Sequence, residues 1–247
     1  MTSYESLPRL RRPLHACQEE IAKRIVLGVY PPGSRLPSES ELCRLLGVSR
    51  TVLREAMKSL STLGLVKIMQ GRATRVAPPE SWNHLAPLIM RVRTEGPELK
   101  RALRELLEVR SMVEVEVAGL AAQRAEPEHL EQLRKLLQQM GWAFEDPVEY
   151  TRLDNEFHLG IVRAAGNYML LGLFYSLIPM LTVGKEITCR QRPSAIAESN
   201  EGHHRIYVAI ADADPAGARE AMRAHLAQFE DDLRIAFENH LGAVRHR

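Results

Sequence analysis

The chain has 247 residues, of which 26% are charged and 45% hydrophobic. This excludes disordered, collagen-like and disulfide-scaffold proteins, and the length suits two domains. Net charge is only +2, yet residues 1–77 hold 13 Lys and Arg against 6 Asp and Glu, a balance of +7, while the remainder sums to −5; a basic head on an acidic body points to a polyanion partner.

In chain order, the N-terminus carries Arg9, Arg11 and Arg12 without the apolar stretch of a signal peptide, so a cytoplasmic location is expected. Residues 14–28 place Ile21, Ile25 and Leu27 at near-helical spacing, and Gly28 with Pro31-Pro32-Gly33 stops that helix. Ser38 and Glu41 form a capping-box pattern for a second helix, Glu39 to Leu46. Gly47 ends it, and Ser49 starts a third helix with Val52, Leu53, Ala56, Met57, Leu60 and Leu63 at three- and four-residue spacing. The tight glycine turn between them predicts a helix-turn-helix. Residues 65–70 and 74–77 alternate around Gly71-Arg72-Ala73, a hairpin, so the head reads as a winged helix-turn-helix over 1–77. The buried face of the third helix leaves Ser49, Arg50, Thr51 and Arg54 to face outward, where they serve either as base and phosphate readers or as solvated surface groups.

These residues resemble a known family. Leu-Pro-Ser-Glu (36–39), Val-Ser-Arg-Thr (48–51) and Leu-Arg-Glu-Ala (53–56), in order, are similar to the N-terminal domain of GntR-family bacterial transcription regulators. The resemblance implies operator contacts by Arg50, Arg54 and the wing tip at Gly71-Arg72; Ser38, Ser49, Thr51 and Thr74 complete the expected DNA-facing set. Ser40 stands where many members have a basic residue, and Ala73 replaces a second wing glycine.

Residues 78–97 read as a linker with a short helix, built on Trp82, Leu85, Leu88 and Ile89 and expected to pack between the domains. From residue 98 to 247 the pattern is helical throughout, broken at Pro127, Asp146-Pro147, Gly166-Asn167, Pro193 and Asp214-Pro215, so the body reads as an all-α bundle of six or seven helices. Residues 164–184 carry no charge, but the dense apolar part, Met169 to Val183, is shorter than the ~20 residues a membrane span needs; a buried helix and no membrane partner are expected. Cys17, Cys43 and Cys189 lie far apart without a Cys-x-x-Cys, which fits a reducing compartment.

Asp154 and His158, at i and i+4, leave one helix face. His203 and His225 each lie 11 residues from Asp214, so a helical hairpin bent there brings them level, each ~16 Å from the bend. Three imidazoles and one carboxylate suit Zn²⁺, and also Ni²⁺ or Mn²⁺. By spacing alone, Asp154 and His158 equally describe a surface hydrogen-bonded pair, and His204 competes with His203.

Further motifs resemble the FCD effector domain of the FadR subfamily: Glu105 to Arg110, Asp154 to His158, Ala164 to Asn167, His203 to Ile210 and Ala221 to Leu226. The resemblance implies a metal held by Asp154, His158, His203 and His225, and fixes His203 over His204; Gly202 departs from it, since a glutamate commonly precedes that histidine. It also implies a small organic or sugar acid as effector, with Arg110 and Asn167 as effector-binding residues. For Arg110 the other reading is an ion pair with Glu114, and for Asn167 a helix cap. The function expected is that of a homodimeric transcription regulator on operator DNA. The alternative is a metal-dependent hydrolytic enzyme with a nucleic-acid-binding head, although no His-Glu-x-x-His motif supports it.

Overall fold

A computed structural model describes residues 13–69, 73–95 and 98–245, with side chains described through Glu238. Contacts divide the chain into Met1–Gly96 and Pro97–Arg247.

The first unit begins with α1 (Pro13–Val26), α2 (Glu39–Leu46) and α3 (Arg50–Thr62). Ser38 Oγ accepts from the Glu41 amide at 3.3 Å while Glu41 accepts from the Ser38 amide at 2.9 Å, the reciprocal box expected at the start of α2. Gly47, at φ 65°, closes α2, and Ser49 caps α3 by accepting from the Val52 amide. The helices meet through Cys17, Ile21 and Ile25 on α1 and Leu53, Ala56 and Leu60 on α3, all buried. Each large aliphatic side chain there contributes ~1.5–3 kcal/mol.

The wing is an antiparallel pair, β1 (Val66–Lys67) and β2 (Arg75–Val76), with Val66 opposite Val76. Residues 33–36 add a third edge: the Val76 amide donates to the Ser34 carbonyl at 2.9 Å, and the Leu36 amide donates to the Thr74 carbonyl at 2.9 Å. Four residues between Pro31-Pro32 and Pro37 are too few to show alternation, so this edge was not legible in sequence. The tip, Gln70 to Arg72, lies outside the described residues.

The chain then returns over the end of α3, where Gly64 (φ 75°) faces the Ser81 carbonyl so closely that a Cβ would overlap it. Gly64→Ala is therefore expected to destabilise this unit by ~2–4 kcal/mol. Urea unfolding checks this, and a change within ~0.5 kcal/mol, the scatter of ordinary surface substitutions, would contradict it. Helix α4 (Pro87–Arg93) buries Ile89 and Val92 in the same apolar cluster as α1. Ion pairs of Arg91 with Glu19 and Lys23 with Glu95 reinforce the contact. Residues 78–95 thus pack as part of the first unit.

The second unit consists of α5 (Leu99–Arg124), α6 (Pro127–Trp142), α7 (Pro147–Ala164), α8 (Tyr168–Gln191), α9 (Ala195–Ala211) and α10 (Pro215–Arg245). Prolines open α6, α7 and α10, a position where their missing N–H costs nothing. Asp146 caps α7, and Asp214 accepts from the amides of Ala216 and Gly217, fixing the expected α9–α10 bend. α10 packs on α5 and α9, and α7 on α6 and α8. Among the described residues α8 alone is long and apolar enough to cross a membrane by length and composition, with 33% of its most apolar window buried. The expectation of a buried helix holds for one side: Phe174, Leu177, Met180 and Leu181 are buried, whereas Tyr168 and Met169 are exposed.

Candidate metal and DNA-binding sites

The i, i+4 spacing on α7 turns Asp154 and His158 into the bundle, where His203 of α9 and His225 of α10 meet them; all four are buried. One ligand nitrogen from each of His158, His203 and His225 lies within 4.8 Å of the others. His203 Nε2 stands 3.4 Å from His158 Nε2 and 3.1 Å from Asp154 Oδ1. His204 is exposed on the far side of α9.

Burial pushes His203 down to about 4, against the opposing pull of Asp154, and likewise holds His225 well below the usual imidazole range, helped by His203. Both rings are therefore neutral at neutral pH, the form that offers a lone pair to a metal. Burial raises the Asp154 carboxyl, but Lys185 and then His203 outweigh it and hold it well below the carboxylate range. Glu114 reaches about 2 because Arg110 and then His158 outweigh its burial.

Two observations test whether these residues fit a metal ion. His225 Nε2 is buried without a hydrogen-bond partner among the described residues, a costly state for a polar atom. His158 Nδ1 stands 2.6 Å from Glu114 Oε2, a carboxylate placed to favour a proton on Nδ1 and so leave the Nε2 lone pair to an ion. The donor set fits a divalent metal ion.

Arg110 is paired with Glu114, the ion-pair reading, and its Nη2 lies 3.5 Å from His158 Nε2. Among the described residues its Nη1 has no hydrogen-bond partner. Of the two readings of Asn167 the cap is the one observed: it is exposed, and its Oδ1 accepts from the amides of Met169 and Leu170 at the start of α8.

Sequence reasoning missed Lys185, whose Nζ is 2.9 Å from Asp154 Oδ1. It also missed a small cavity lined by Tyr150, Lys185, Ser199, His225, Gln228 and Asp232. The signal available was a single cation closing the uncharged run of α8.

Gly202 explains its own departure from the expected glutamate: a Cβ there would come 2.8 Å from His225 Nδ1. Gly202→Ala is expected to displace the His225 ring and weaken Zn²⁺ binding about tenfold, within the range that supporting residues exert on metal sites. Unchanged affinity in a chelator competition would refute this.

In the first unit Arg50, Thr51 and Arg54 are exposed on one side of α3. Arg54 Nε donates to Glu39 Oε2 at 3.1 Å across the turn. The hydroxyls of Ser38 and Ser49 cap helices, Thr74 is half-buried at the base of the wing, and Gly71 and Arg72 lie outside the described residues.

Residues 16–76 match the family of bacterial regulatory proteins, gntR family, and residues 105–228 match the FCD domain. The Glc operon transcriptional activator of Escherichia coli (strain K12) is 32% identical over 240 residues, covering 93% of each chain. The galactonate operon transcriptional repressor of the same strain is 28% identical over 207 residues, covering 84% of this chain and 90% of its own. A solved Streptococcus agalactiae GntR matches with a TM-score of 0.50 at 27% identity, covering 87% of this chain and 97% of its own.

The protein is thus a winged-helix regulator with an all-helical C-terminal domain. It belongs to the gntR family, with an FCD domain, and is a transcriptional regulator and not an enzyme. The hydrolytic alternative is set aside.

Proposed function

We propose that the chain acts in the cytoplasm as a homodimer on operator DNA, and that a small organic or sugar acid bound beside a metal ion controls its operator binding. Asp154, His158, His203 and His225 would hold the ion, with Zn²⁺ favoured by three imidazoles and one carboxylate and Ni²⁺ or Mn²⁺ also suited. The observation that carries this reading is the convergence of three buried histidines, two of them held neutral by burial and one with an unpartnered Nε2. When bound, the ion supplies a Lewis acid for a carboxylate or hydroxyl oxygen.

The protein's own side chains do the remaining work. Glu114 stands beside His158 Nδ1, Arg110 pairs with Glu114 and approaches His158 through Nη2, and Lys185, Ser199 and Asp232 line a small cavity next to His225. A hydroxylated acid is in line with the relative named as a galactonate operon repressor. In the head, Arg50 and Arg54 would read the operator, with Gly71-Arg72 at the wing and Ser38, Ser49, Thr51 and Thr74 near the phosphates.

Metal analysis of the purified protein, followed by operator binding of the zinc-loaded and chelator-stripped forms with D-galactonate and related acids, tests the reading. Protein that takes up no divalent metal, and whose operator affinity no acid alters, would refute it.

A further inference from the structure

Lys185 is a buried cation that the metal reading does not use. Its Nζ lies 2.9 Å from Asp154 Oδ1, donates to Ser199 Oγ at 3.1 Å, and sits 4.7 Å from the centre of the Phe229 ring. The same Asp154 oxygen is 3.1 Å from His203 Nε2. The ammonium therefore rests on the carboxylate proposed as a metal ligand, Asp154.

We propose that Lys185 is a built-in competitor of the metal ion: its ammonium holds the Asp154 carboxylate in the metal-free protein, and a divalent ion must displace it to complete its ligand set. The proposal rests on the metal-site reading above. A buried carboxylate needs a counter-charge, and Arg110, the neighbouring buried cation, is taken up by Glu114.

The charges decide the consequence. Arg110 and Lys185 balance Glu114 and Asp154, so the metal-free cluster is neutral when its histidines are. A divalent ion leaves two uncompensated positive charges in a low-dielectric interior, where repulsion over a few ångströms is strong. The ammonium must then leave Asp154, and the cavity it already lines, beside Ser199 and Gln228, gives it a direction to move. Affinity for metal is thereby set below what three histidines and an aspartate would give on their own.

The test uses the full chain, stripped of metal, with Zn²⁺ affinity measured by competition against a chromophoric chelator. Lys185→Met and Lys185→Gln, which remove the charge, are each expected to bind Zn²⁺ at least about tenfold more tightly than wild type. Lys185→Arg, which keeps it, is expected to stay close to wild type. Neutral variants that bind zinc no more tightly than wild type, while His203→Ala loses it, would overturn the lysine proposal and leave the metal site standing. Equal zinc binding by His203→Ala and wild type would overturn the metal-site reading and this proposal with it.

Discussion

His203→Ala is expected to lower Zn²⁺ affinity by at least about 100-fold, because it would remove one of the four groups proposed to hold the ion. The effect should be this large because the residue is central: His203 Nε2 is the atom within 3.4 Å of both His158 Nε2 and Asp154 Oδ1, and the side chain is fully buried. The ring also packs edge-on against Phe157, with centroids 4.9 Å apart, so alanine leaves a cavity and lowers stability as well. His203→Gln, closer in volume, separates the two effects and should lose metal while keeping more of the fold. His204→Ala, on the exposed side, should bind zinc as wild type does. Chelator competition reads all three, and full zinc binding by His203→Gln would contradict the assignment.

The second large effect falls in the head. Arg50→Ala and Arg54→Ala should each weaken operator binding by ~1–3 kcal/mol if they reach base edges, with relaxed preference at the position read. A phosphate contact would instead weaken binding uniformly across sequences and reduce the salt slope by about one. Arg54 starts from an ion pair with Glu39 in which both side chains are more than half exposed, and such a pair is weak enough to exchange for DNA. A site selected by the wild-type protein from a random-sequence DNA library provides the probe. Unaltered binding by both variants at physiological salt would contradict the placement.

The head was legible because its signals are local. The Ser38–Glu41 box, Gly47 and the Ser49 cap all act within four residues, and each appears where its spacing places it. The third wing edge was not, since residues 33–36 find their partner some 40 positions away and carry no pattern of their own. The same distinction divides the second unit. Asp154 and His158 share a helix face, and Asp214-Pro215 sets His203 level with His225, so spacing gives two pairs, and the family resemblance joins them into one set. Lys185 and Glu114 reach the cluster from helices whose relative rotation no local spacing fixes. Asn167 was legible as a cap for the same local reason: an asparagine just before a helix accepts from the first-turn amides.

The most direct test of ligand-controlled operator binding is the affinity of one effector measured on two states of the zinc-loaded protein, free and saturated with operator. The effector is the acid that gives the largest melting shift in a screen of small hydroxy acids. An effector moves an equilibrium only through differential affinity, and DNA must change effector affinity by the same factor as effector changes DNA affinity. The account predicts at least about a fivefold difference between the two states, the lower end of ordinary allosteric coupling. Equal affinities would contradict it.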